Sequence, residues 1–101
     1  MSDPNTEPAI NIQIKADEKD MVGNYANLAQ ISHRHDEFTL SFFYIYPNVP
    51  QGKLLYNVVL SPSHAKRLLR AVQENIERYE RLFGPIREEP GVPEPNIGFV
   101  Q

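Results

Sequence analysis

Residues 60–85 read LSPSHAKRLLRAVQENIERYERLFGP and contain a helix start, an apolar stripe and a helix stop in one continuous segment. Ser61 is placed to accept a hydrogen bond from the open N–H groups of a first turn. Pro62 suits the first helical position, where no donor is needed, and Gly84 followed by Pro85 ends the run. Between them Ala65, Leu68, Leu69, Val72, Ile76, Tyr79, Leu82 and Phe83 recur at spacings of three and four, so one side of the helix is apolar throughout and must lie on something. Glu74 with Arg78 and Glu77 with Arg81 stand four apart, acid first, the order that suits a solvated face. These features fix architecture and name no substrate.

Upstream of the helix the period changes from 3.6 to 2. Ile10, Ile12 and Ile14 alternate with polar residues as in a half-buried strand, and residues 17–20 (Asp-Glu-Lys-Asp) interrupt the pattern as a loop. Residues 24–33 give a second strand, for which Tyr25, Ala29 and Ile31 are expected inward, leaving Asn27 in need of a hydrogen-bond partner. A central strand follows, with Phe38, Leu40, Phe42, Tyr44 and Tyr46 on one side. The proline- and glycine-bearing residues 47–52 turn the chain, and residues 54–60 return as a fourth strand. Pairing Tyr44 with Leu54 sets Phe42 opposite Tyr56, Leu40 opposite Val58 and Phe38 opposite Leu60, while Ser41 meets Asn57 on the other face. The expected fold is α+β: a four-stranded antiparallel β-meander followed by one long C-terminal α-helix, with disordered tails. Residues 1–8 form the N-terminal arm, 9–86 a single domain and 87–101 a proline-rich tail.

The 101 residues suffice for one modest core, with much apolar surface left for a partner to cover. Ten Lys and Arg against 13 Asp and Glu give a net charge of -3, which supplies no global field for nucleic acid or an anionic membrane. The absence of Cys excludes disulfides, thiolate nucleophiles and thiolate metal sites. The acidic, proline-bearing start is not of secretory type, and no run approaches the ~20 apolar residues of a membrane span, so a cytoplasmic protein is expected.

Residues 24–28 (NYANL), 37–42 (EFTLSF) and 60–69 (LSPSHAKRLL), with Glu74-Asn75-Ile76 and Tyr79-Glu80, form a set specific in combination. Over residues 9–86 the chain resembles a family of short bacterial proteins classed as a domain of unknown function. The resemblance implies a bacterial, cytoplasmic protein of about this length and carries over no catalytic residue. Residues 32–36 (Ser-His-Arg-His-Asp) depart from the family's pattern, where small polar residues are more usual, so any role for these histidines would be peculiar to this protein.

His33, His35 and Asp36, with His64 brought from the helix start, are the one cluster with metal-ligand chemistry. Arg34 sits between the histidines in an expected hairpin turn, and an exposed polar turn is the reading. His64, Lys66, Arg67 and Arg70 gather positive charge at the helix start, a possible contact for an anion or nucleic acid, although no helix-turn-helix accompanies it. Ser61 and Ser63 beside His64 do not make a triad, because Ser61 is explained as a cap and adjacency in sequence does not aim a hydroxyl at an imidazole. No catalytic residue, cofactor or metal is expected, and the chain is read as not an enzyme.

One helix covers one sheet face, expected to be that of Phe38, Leu40, Phe42, Tyr44, Leu54, Tyr56, Val58 and Leu60. The opposite face shows Phe43, Ile45, Leu55 and Val59, a patch that a second copy would cover. The leading expectation is a non-catalytic homo-oligomeric interaction or scaffold protein, most simply a dimer, with an unknown protein partner. The alternatives are a small nucleic-acid-associated regulator using the basic helix start, and a chaperone-like binder of extended polypeptide on the aromatic sheet.

Overall fold

A computed structural model describes residues 9–88 and 95–100. Its elements are α1 (Glu18–Met21), β1 (Leu28–His33), β2 (Phe38–Ile45), β3 (Gly52–Leu60) and α2 (Pro62–Phe83). The strands form one sheet in the order β1-β2-β3. Both connections are tight reversals, so the sheet is antiparallel: Arg34 N–H donates to the Glu37 carbonyl (2.8 Å) and Tyr46 N–H to that of Gln51 (2.9 Å).

The sheet therefore has three strands where the sequence pattern suggested four, and α2 is joined by a second, short helix. Residues 9–17 carry no strand, and Ile10 remains 83% exposed with Ile12 and Ile14 similarly open. Alternation shows which face a segment would bury if it found an edge to pair with; it does not supply the edge. Next to it, residues 17–20 are not a loop. The Asp20 side chain reaches back to accept the Asp17 N–H (3.0 Å), as the third helical residue of a capping box does, and holds the single turn of α1.

The facing of β1 is also opposite to expectation. Tyr25, Ala29 and Ile31 are exposed, whereas Ala26, Leu28 and Gln30 are half-buried. The Tyr25 ring meets Tyr44 edge-on, with centroids 6.5 Å apart, which puts Tyr25 on the Tyr44 side of the sheet. Two-residue alternation then turns Leu28 to the Phe43 side, where burial is deepest.

The chain separates into two compact units. The first holds the described residues up to Gln30 with Leu40–Asn57. It contains Leu40 (9% exposed) and Phe43 (3%), the two buried hydrophobic residues among those described. Asn27 gains the partner it required in an edge-to-backbone form. Its Nδ2 donates to the Ile45 carbonyl (2.9 Å) while its Oδ1 accepts the Ile45 N–H (2.8 Å), so the amide substitutes for a strand residue at the end of the ladder. Across β2 and β3, Ser41 Oγ donates to Asn57 Oδ1 at 2.6 Å, the contact that the expected hairpin register calls for. Gly52 is forced by close approach, since a Cβ there would lie 2.6 Å from the Tyr44 carbonyl oxygen.

The second unit holds Ile31–Thr39 with Val58 and the described residues after it. Here the capping expectations hold in detail. Ser61 Oγ accepts the His64 N–H (3.2 Å), Pro62 opens α2, and Gly84 closes it at φ 95° and ψ 173°, its N–H donating to the Glu80 carbonyl (2.9 Å). Of the tails, residues 1–8, 89–94 and 101 lie outside the described residues; 87, 88 and 95–100 carry no helix or strand.

Candidate functional site

The largest departure from the expected packing lies on α2. Its 22 residues, about 33 Å of helix, include no buried residue at all. Leu69 is 68% exposed and Phe83 73%, with Val72, Tyr79 and Leu82 also open, and even Ile76, the least exposed of these, retains 42%. Most of the stripe expected to lie on a sheet face is thus solvent-facing, with Ala65 and Leu68 half-buried; of the sheet face expected to receive it, Leu54, Tyr56 and Val58 are exposed, whereas Phe38, Phe42, Tyr44 and Leu60 are half-buried and Leu40 is buried.

Beyond Gly84 the chain reverses along the helix, where the Ile86 N–H donates to Glu80 Oε2 (2.8 Å). This brings Ile86 beside the stripe and creates an open apolar groove of about 450 Å³ lined by Ala71, Val72, Asn75, Ile76, Tyr79 and Ile86. The Tyr79 and Phe83 rings tilt together at its end, 5.0 Å apart. Asn75 is the polar residue of the groove, and its Nδ2 donates back to the Ala71 carbonyl (2.9 Å). Sequence reasoning found the stripe but assumed its cover, and missed Asn75 and Ile86. The 4-3-4-3-4 spacing of Ala65, Leu69, Val72, Ile76, Tyr79 and Phe83, a heptad seam, was the available signal.

The other candidate residues are placed as follows. Phe43 is 3% exposed. Ile45 and Leu55 are half-buried in the first unit, while Val59 is exposed and belongs to the other. His64, Lys66, Arg67 and Arg70 are all exposed. At 100° per residue Lys66 and His64 flank the seam on opposite sides, while Arg67 and Arg70 occupy the side of α2 away from it. Ser61 is occupied as a cap, its Oγ also lying 3.3 Å from Ser63 Oγ. The His33 ring stacks on Phe38 (centroids 5.5 Å, 28° between planes), and the turn in which Arg34, His35 and Asp36 are exposed is closed by the backbone bond from Arg34 to Glu37. Among the described residues no group of three His, Cys, Asp or Glu side chains gathers to hold a metal, and no helix is long and apolar enough to cross a membrane.

The first unit presents a group of tyrosines. Tyr44 lies between Tyr25 and Tyr46 (5.7 Å to the latter), and Asn24 Nδ2 donates to the Tyr56 hydroxyl. Such rings offer apolar area with a polar rim.

These features define a small α+β domain, a three-stranded antiparallel sheet followed by an amphipathic helix. A family model described as a protein of unknown function (DUF3467) matches residues 1–88, and the chain belongs to that family. Comparison with curated proteins and with solved structures gives no match.

Proposed function

We propose that this domain is a non-catalytic homo-oligomeric interaction module, in the bacterial cytoplasmic setting that the family resemblance implies. The observation that carries the reading is the exposed stripe of α2. A helix of this length is stabilised mainly by burial of its apolar face, and here that face from Leu69 to Phe83 is left largely in water within one chain. The exposed parts of Leu69, Val72, Ile76, Tyr79, Leu82 and Phe83 amount to on the order of 600–700 Å², more than a monomer usually leaves uncovered and close to one partner's share of a standard interface. A second copy, joined by a two-fold contact, is the simplest cover.

Sedimentation equilibrium on nuclease-treated protein across the micromolar range tests it. Twice the chain mass is expected, and a well-behaved monomer at the highest concentration overturns the proposal. The nucleic-acid alternative draws support from the exposure of Lys66, Arg67 and Arg70, and the polypeptide-binding alternative from the open tyrosines of the first unit. Neither accounts for the exposed seam.

A further inference from the structure

The seam also specifies how two copies would meet. We propose that they pair through α2 in antiparallel orientation, with the two-fold axis at the level of residue 74 along the helix. This rests on the homo-oligomer reading and adds its surface, direction and register.

The first argument is residue size. Paired in parallel, each seam residue faces itself, so Ala65 meets Ala65 at one end and Phe83 meets Phe83 at the other, leaving a gap at one end and crowding at the other. Antiparallel pairing about residue 74 instead sets Ala65 opposite Phe83, Leu69 opposite Tyr79 and Val72 opposite Ile76, so every layer joins a smaller side chain to a larger one. The second is charge. Residues 62–73 hold Lys66, Arg67 and Arg70 and no acid, whereas Glu74, Glu77 and Glu80 all lie in the second half, with Arg78 and Arg81. Parallel chains bring the two basic starts together. Antiparallel chains lay each basic start along the other copy's acid-bearing half, with Lys66 and Glu80 at matching flank positions of the seam. Glu80 is already half-buried and held by the Ile86 N–H, so its carboxylate is fixed at that flank before a partner arrives.

The groove supplies the third. Its open side lies between Val72, Ile76, Tyr79 and Ile86, and the register that pairs Leu69 with Tyr79 directs the second copy's Leu69 into it. Asn75 borders the same groove and falls close to its own counterpart across the axis. There its amide keeps donor and acceptor capacity beyond the Ala71 bond, and a polar pair at one point of a seam fixes register.

The absence of cysteine makes the test clean, because any introduced thiol is unique. Asn75→Cys and Phe83→Cys, each first shown by sedimentation to assemble as the unmodified chain does, are treated with a short bis-maleimide. The proposed register puts the two copies of residue 75 almost level but separates the two copies of residue 83 by about 27 Å along the axis, at 1.5 Å per residue. Most of the Asn75→Cys chain should become a covalent dimer while Phe83→Cys stays uncoupled. Coupling at residue 83 in place of 75 means parallel helices and overturns the proposal. Coupling at neither position, in a protein that sediments as a dimer, overturns it too by placing the contact elsewhere, with self-association intact. A monomer in the unmodified chain removes both.

Discussion

Leu69→Asp separates what α2 contributes to its own chain from what it contributes to an assembly. Leu69 is 68% exposed, so about a third of its surface is withdrawn from water within the chain. Full burial of a leucine side chain stabilises by roughly 1.5–3 kcal/mol, which makes the intramolecular share about 0.5–1 kcal/mol. Asp is a poorer helix former than Leu by up to about 0.5 kcal/mol. The isolated chain should therefore lose only about 1–1.5 kcal/mol, a fall in Tm of roughly 4–12 °C for a domain of this size. The assembly should suffer more. A two-fold contact loses the remaining two-thirds of two leucines, about 2–4 kcal/mol, which raises the dissociation constant roughly 30- to 700-fold before the cost of desolvating two carboxylates is added. Urea denaturation followed by circular dichroism, at concentrations below dissociation, measures the first quantity, and a sedimentation concentration series measures the second. A loss above about 3 kcal/mol in the dilute chain would mean that Leu69 is a core residue. An unchanged association constant would mean that the seam is not the contact. Either result refutes the reasoning.

Three further substitutions test the fold that presents the helix. Asn27→Ala removes both bonds to the Ile45 backbone and should cost about 1–3 kcal/mol in urea unfolding. Asn27→Asp should do no better, because it sets a carboxylate oxygen against the Ile45 carbonyl. Gly52→Ala drives a Cβ into the Tyr44 carbonyl and should lower stability by about 1–3 kcal/mol; a neutral result in thermal unfolding would show that the β2–β3 turn relaxes freely. Gly84→Ala places a side chain at φ 95°, ψ 173°, a region populated almost only by glycine, and should cost about 1–3 kcal/mol. The same change should loosen the reversal that brings Ile86 to Glu80, seen as faster exchange of the Ile86 amide.

The parts legible in the sequence were those decided by local chemistry. Ser61, Pro62 and Gly84 bounded α2, and the polarity match across Ser41 and Asn57 set the register of β2 on β3, because each needs only near neighbours. The parts misread depended on which partner a face would find. Ile10, Ile12 and Ile14 have the period of a strand yet lie in no strand, and Tyr25 and Ile31 are large and apolar yet exposed. Asp17 and Asp20 were passed over because aspartate at the third helical position is a less familiar form of the capping box than glutamate. For α2 the periodicity was plain from Ala65 to Phe83, but a heptad seam and a surface helix resting on its own sheet share most of their apolar positions, and only exposure tells them apart.

Hydrogen exchange of α2 as a function of protein concentration tests the central claim most directly. If the stripe is the contact between copies, amides of residues 65–83 exchange more slowly as concentration rises through the association range, while those of β2 beside Phe43 stay at a constant rate. Exchange along α2 that is independent of concentration, in a chain that nonetheless associates, would contradict it.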